Sequence, residues 1–240
     1  RQNKHSTILV DHAMSASNIG DEARLIWDKT QTLICVSPDR IKASRLLIDA
    51  GCNIIVSDDG MQNYQLYRDI EVSLIASSAG FGNGLLLPAG PLREYPQRSN
   101  HSDFCVYQEQ SMLNAENRII MTYQIDAIIN LLDQSSYTPR SWPFSRDVLA
   151  TCAIGNPAGF FKLLTDSGFS IKTATLPDHD TIDPADFPAN SLLFITEKDA
   201  VKIDRSTLKH PNVWIVTISP IFNLPIFDAI EHKLKSYLSQ

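Results

Sequence analysis

The sequence predicts an α/β fold built on a doubly wound parallel sheet, with a second, smaller α/β lobe. Three observations carry this. Short β-branched runs alternate with helix-spaced segments in the order β-α-β-α-β near the start of the chain. The connections between them are short, as crossovers in such sheets are. A second strand-helix series begins near Val148. At 240 residues the chain allows one large domain or two small ones, and 43% apolar residues supply an ordinary core. Residues 1–130 are expected to form the N-terminal lobe, 131–145 a linker and 146–240 the C-terminal lobe with a closing helix.

Thr7–Val10 reads as a strand ending at Asp11. Ala23–Trp27 begins a helix, for which Asp21 could serve as N-cap, with Glu22 well placed against the macrodipole. Thr32–Val36 is a second strand. Ser37-Pro38-Asp39 turns into a helix over Ile41–Ala50, closed by Gly51. Ile54-Ile55-Val56-Ser57-Asp58-Asp59-Gly60 then admits two readings. In one it is a buried parallel strand whose carboxyl end delivers two acids to a crevice, where a cation such as Mg²⁺ with a phosphate would offset their repulsion. In the other it is a strand followed by an ordinary Asp-Gly turn.

Glu71–Ala76 is the next strand, and the unusual run Gly80–Glu94 follows, with four glycines, two prolines and no period. Its interleaved leucines argue against disorder, and an ordered loop of this length is usually functional. It ends in Arg93 and Glu94, one suited to phosphate, the other to metal or base chemistry. Leu85–Leu87 could contact acyl chains or plug a cleft. Phe104–Tyr107 is a strand, and the poorly alternating stretch around Ile119–Ile129 reads as part of the join between lobes.

In the second lobe, Val148–Ala153 is a strand and Pro157 opens a helix through Leu164. Gly155-Asn156-Pro157 could receive an anion at the helix N-terminus or be a plain turn. Ile171–Leu176, Leu192–Thr196 and Val213–Ile218 are strands, and Ile226–Leu238 is an amphipathic closing helix. Glu197-Lys198-Asp199 reads as a helix cap with a solvated charge cluster. The histidines other than His179 read as ordinary surface or loop residues.

Composition narrows the partners. With 21 Lys and Arg against 27 Asp and Glu, the net charge of −6 gives no reason to expect nucleic acid. Cys35, Cys52, Cys105 and Cys152 lack C-x-x-C spacing, so buried free thiols in a reducing compartment are expected and a zinc site is not. No apolar run has transmembrane length.

Five segments, taken together, make the chain resemble the tetraacyldisaccharide 4′-kinase family. They are Gly20-Asp21-Glu22, Asp58-Asp59-Gly60-Met61-Gln62, the run Gly80–Glu94, Gly155-Asn156-Pro157 with Phe160-Phe161 and Pro177-Asp178-His179, and Thr196-Glu197-Lys198-Asp199. The resemblance implies a P-loop-NTPase-like fold and ATP with Mg²⁺ as cofactors. It implies transfer of the γ-phosphoryl group to the 4′-hydroxyl of an acylated glucosamine disaccharide 1-phosphate, in lipid A biosynthesis. It implies peripheral contact with the cytoplasmic face of the bacterial inner membrane. By the same resemblance Asp21 is the general base and His179 its partner. Asp58 and Asp59 hold Mg²⁺, with Glu94 a further metal candidate. Arg93, Glu94 and Arg40 contact the nucleotide. Such a role is chemically sound, because phosphoryl transfer needs positioning and charge neutralisation, and a hydroxyl nucleophile gains from a nearby proton acceptor.

The chain departs from the family pattern twice. Asn63 stands where the family usually has His, so hydrogen bonding is kept but any proton role is absent there. None of the ten glycines precedes a lysine, so the Walker A loop is absent from these residues. The resemblance starts just downstream of that loop. The chain is therefore expected to be a truncated piece, impaired in ATP binding by itself. The alternatives are a descendant that only binds the lipid or a partner, and a metal-dependent phosphohydrolase built on Asp58 and Asp59.

Overall fold

The structure is a computed structural model that describes residues 8–10, 20–76, 80–108, 118–177 and 180–238. In chain order its elements are β1 (Ile8–Val10), α1 (Asp21–Thr30), β2 (Ile34–Val36), α2 (Arg40–Asp49), β3 (Val72–Ala76), β4 (Phe104–Gln108), β5 (Ile119–Asn130), β6 (Ser136–Tyr137), β7 (Asp147–Cys152), α3 (Pro157–Asp166), β8 (Ser170–Thr175), β9 (Leu193–Thr196), α4 (Glu197–Ala200), β10 (Val213–Phe222) and α5 (Ile226–Leu238). They fall into two compact units. The first takes Arg1–Ser57 and Ile125–Ser219, the second Asp58–Gln124 and Pro220–Gln240. The chain passes between units after Ser57, inside β5 and inside β10, whereas the sequence reading set consecutive lobes on either side of 131–145.

In the first unit the strand order is β5-β10-β9-β7-β8, and β10, β9, β7 and β8 are mutually parallel. Alternate residues serve opposite faces, as the two-residue strand period requires. Phe194, Trp214, Val216, Val148 and Ala150 join one core with Phe160 and Leu164 of α3. Leu193, Ile195, Val213 and Ile215 join another with Ile182 and Ala200. A sheet covered on both faces explains the unbroken apolar runs Leu192–Ile195 and Val213–Val216. The stretch 131–145 is itself packed. Leu131 and Trp142 are buried, and Trp142 meets Trp214 edge-on at 4.8 Å between ring centroids.

Three expectations are corrected. β1 and β2 pair antiparallel, with Val10 opposite Ile34, and do not open a parallel sheet. Ile54–Val56 forms no strand, and Val56 is 91% exposed. β-branched residues favour an extended backbone, but a strand exists only with a neighbour, and this run has no ladder partner among the described residues. The stretch around Ile119–Ile129 is instead the longest strand, β5. Its alternation is blurred because Ile119 and Met121 pack in the second unit while Ile125 and Ile128 pack in the first.

In the second unit β3, β4 and β5 run parallel in that order. Val106, Met121 and Ile226 of α5 form its core. β3 is one-sided, burying Ser73 and Ile75 and exposing Val72 and Leu74. Lys233 of α5 pairs with Asp103 at the start of β4, and the Tyr237 hydroxyl donates to Asp69 O at 3.2 Å.

Candidate active site

Asp58 and Asp59 lie in a turn, so the Asp-Gly turn is the form observed, and it leaves both carboxylates exposed. Asp59 has φ +46°, a left-handed conformation that Asp tolerates better than most residues. Arg93 Nη1 reaches Asp59 Oδ2 at 3.2 Å. Glu94 is held more firmly. The Tyr64 hydroxyl donates to Glu94 Oε2 at 2.6 Å, and Arg98 Nε lies 3.4 Å from the same oxygen. Glu94 Oε1 is shielded from solvent and has no hydrogen-bond partner among the described residues, which leaves one acceptor uncommitted. No three His, Cys, Asp or Glu side chains among the described residues gather into a metal cage. Mg²⁺ does not require one, since it takes one or two carboxylates and fills its shell with phosphate oxygens and water.

The run that delivers Arg93 and Glu94 is ordered by its own backbone. Leu87 N donates to Leu92 O at 2.9 Å, Leu92 N to Leu85 O at 3.2 Å and Gly90 N to Leu86 O at 3.0 Å. Asn83 ties the two limbs, accepting from Leu85 N at 3.1 Å and donating to Ala89 O at 3.0 Å. A Cβ on Gly90 would lie 2.2 Å from Asn83 Oδ1 and 2.3 Å from Leu85 O, so only glycine fits there. Leu85 and Leu87 remain exposed.

Behind the loop sits a charged cluster. Glu71 binds Arg98 at 2.6 Å and Arg68 at 2.9 Å, and accepts from the Ser102 hydroxyl at 2.9 Å. Burial would raise the Glu71 pKa, but the Arg98 and Ser102 hydrogen bonds and the nearby positive charges outweigh it and hold Glu71 below the usual carboxylate range. The neighbouring Asp103 is held low in the same way, burial being outweighed by Lys233 and by the Glu71 backbone N–H.

Asp21 belongs to the first unit. It is the first helical residue of α1 behind the N-cap Gly20, so it does not itself cap the helix. Three ion pairs join α1 to the turn that begins with α4: Asp21 to Lys202 at 3.4 Å, Glu22 to Lys198 at 2.9 Å and Lys29 to Glu197 at 2.8 Å. Beside them lies a cleft of about 690 Å³ whose lining includes Arg24, Lys29, Glu197, Lys202, Arg205 and Thr217. Arg40 opens α2 behind the N-cap Asp39. His179 lies outside the described residues.

Glu197-Lys198-Asp199 is not the solvated cluster expected. Thr196 caps α4 by accepting from Asp199 N at 3.2 Å, and Asp199 itself is 1% exposed. The Asp199 carboxylate accepts from the Thr196 hydroxyl at 2.6 Å and from Ala153 N at 3.3 Å, which joins the ends of β9 and β7. Burial, with a smaller contribution from Asp199, pushes the Cys152 thiol up to about 11. At Gly155-Asn156-Pro157, Asn156 accepts from Gly159 N at 3.1 Å, the ordinary capping of a strand-to-helix turn.

Within the second unit the structure thus brings Asp59 to Arg93 and sets Glu94 between Tyr64 and Arg98. Sequence reasoning missed Tyr64, Arg98 and Lys202. Tyr64 and Arg98 had no signal, because they act across the loop fold. Lys198 and Lys202, at helical i,i+4 spacing, were the legible trace of a basic face awaiting the acids of α1.

Comparison with known proteins accords with this architecture. A family model described as tetraacyldisaccharide-1-P 4′-kinase matches residues 1–236. The tetraacyldisaccharide 4′-kinase of Actinobacillus succinogenes is 37% identical over 206 residues, covering 83% of this chain and 61% of its own length. That of Pasteurella multocida is 38% identical over 205 residues, with 83% and 61% covered. The chain therefore spans about three-fifths of the length of these curated relatives. The crystal structure of the "apo" form of LpxK from Aquifex aeolicus in complex with ATP shares the fold, with a TM-score of 0.74 and 22% identity over 98% of this chain and 76% of that one. A family match along nearly the whole chain, and relatives above one-third identity over most of it, establish that this chain belongs to the tetraacyldisaccharide-1-P 4′-kinase family.

Proposed function

We propose that this chain serves the ATP-dependent phosphorylation of the 4′-hydroxyl of a tetraacylated glucosamine disaccharide 1-phosphate, a step of lipid A biosynthesis. The observation that carries the reading is the family match over residues 1–236, joined to an ordered loop presenting Arg93 and Glu94 beside the Asp58-Asp59 turn. Asp58 and Asp59 would hold Mg²⁺, and Glu94 supplies a further free carboxylate oxygen. When bound, the ion would neutralise charge on the transferring phosphoryl group. Arg93 binds phosphate oxygens, a task for which a guanidinium fork is suited. Arg40 assists at the nucleotide.

Asp21 takes the proton of the 4′-hydroxyl as its oxygen bonds to the γ-phosphorus and the bond to the β–γ bridging oxygen breaks. ADP leaves with that electron pair. His179 shares the proton load. The exposed Leu85 and Leu87 suit contact with acyl chains, and the protein meets the cytoplasmic face of the inner membrane peripherally. Among the described residues no helix is long and apolar enough to cross a membrane.

The test uses the full-length gene product containing this chain, with ATP, Mg²⁺ and the tetraacylated disaccharide 1-phosphate. Transfer to the 4′ position is expected, and Asp21→Asn should lower kcat by roughly 10²–10⁴-fold, the usual share of a general base. A folded parent protein that transfers no phosphate would overturn the reading.

A further inference from the structure

Lys202 belongs to no motif singled out in the sequence, yet its surroundings are specific. Its side chain is only 10% exposed. Its Nζ lies 3.4 Å from Asp21 Oδ2 and donates to the backbone oxygen of Asp180 at 3.0 Å. One ammonium therefore joins the first turn of α1 to the residue that directly follows His179 in the chain. The lysine is anchored at its base as well, because its backbone N–H donates to Asp199 O at 3.1 Å and Asp199 is locked between β7 and β9.

Fixing a long, rotamer-rich side chain and removing its ammonium from water both cost free energy, and contacts must offset them. An ion pair on an open surface would rarely be held this way. Nor is the lysine needed merely to dock α1. Glu22–Lys198 and Lys29–Glu197 already pin that helix, and Trp27 buries its apolar side.

We infer that Lys202 is a positioning residue for Asp21. It fixes the carboxylate in the first turn of α1 and ties the Asp180 backbone to the same point, so that the acceptor hydroxyl meets the base in one geometry. Misplacing a base by about 1 Å can cost 10²-fold in rate, so a positioning cation acts on kcat. The inference rests on the reading of Asp21 as the general base.

The experiment measures kcat and both KM values of the full-length protein with ATP, Mg²⁺ and the tetraacylated disaccharide 1-phosphate. The variants are Lys202→Gln, Lys202→Arg, Asp21→Asn and the double variant Lys202→Gln/Asp21→Asn, with thermal melts alongside. Lys202→Gln can still donate to Asp180 but carries no charge. Its kcat should fall at least tenfold, with both KM values within twofold of the parent. Lys202→Arg should recover to within threefold of the parent. In the Asp21→Asn background the loss caused by Lys202→Gln should vanish, since two residues acting through one contact are not additive.

Unchanged kcat in Lys202→Gln, or a loss that persists undiminished without Asp21, overturns the inference while parent activity leaves the kinase reading intact. A Lys202→Gln protein without a cooperative melt makes the lysine structural and also overturns it. A parent protein without transfer overturns both readings together.

Discussion

Cys152 shows what a single buried position can decide. The residue is fully buried, and burial, with Asp199 close by, drives its thiol pKa to about 11. At pH 8 that leaves only about one thiolate in 10³, and the thiolate is the nucleophile. Cys152 should therefore escape iodoacetamide in the native protein at pH 8 and react only after unfolding, which peptide mass mapping of alkylated protein would read. Native alkylation at Cys152 as fast as at half-buried Cys52 would contradict this. The sequence showed that the four thiols would be free, because their spacing matched no metal or redox motif. It also led us to expect all four to be buried, and only Cys152 is, the other three being half-buried because an apolar run does not fix which of its residues faces the core. The same limit hid Lys202, whose partners lie 22 and 181 positions away in the chain.

Elements whose logic is local were the legible ones. The Gly80–Glu94 loop announced itself through glycines and prolines, and the structure supplies the reason at Gly90, where backbone and Asn83 leave no room for a Cβ. Gly84 is different. Its φ of +75° disfavours a side chain, but nothing lies within 4 Å of a Cβ built there. Gly90→Ala should thus cost about 1–3 kcal/mol through overpacking, and Gly84→Ala about 1 kcal/mol through backbone strain alone. Limited proteolysis should then cut within 80–94 faster in Gly90→Ala than in Gly84→Ala, and the reverse order would refute the packing argument. Elements that depend on distant partners were misread. Ile54–Val56 has the composition of a strand but no ladder partner among the described residues, and β5 lacks a strand's alternation because its two halves serve different cores.

Each unit has its own apolar packing, of unequal depth, and this sets how the protein should respond to acid. The first unit buries Phe194, Leu193, Ile195 and Val213 almost completely on two sheet faces. The second has a smaller apolar core around Val106, Met121 and Ile226, with Glu71 and Asp103 tied to Arg98, Arg68 and Lys233. Both acids have folded-state pKa values below their ordinary ones. Their contribution is therefore complete above the unfolded values of 4.5 and 3.8 and is lost as pH falls through the lower folded values. The lowered acids of the first unit, Asp133 and Asp204, are held only by exposed serine contacts and matter less. As pH drops below 4.5, hydrogen exchange should accelerate first in β3, β4 and α5, while β7 and β9 keep their protection. Glu71→Gln should reproduce part of this at pH 7. It leaves Arg68 without its carboxylate and Arg98 with only the 3.4 Å contact to Glu94, a loss of about 2 kcal/mol for charge-assisted hydrogen bonds. It should also weaken the acid response of β4, because one of the two acids that titrate there is gone while Asp103 remains. If β4 and β9 lost protection together at every pH, the two units would open as one, and the charge cluster could not be what limits the second.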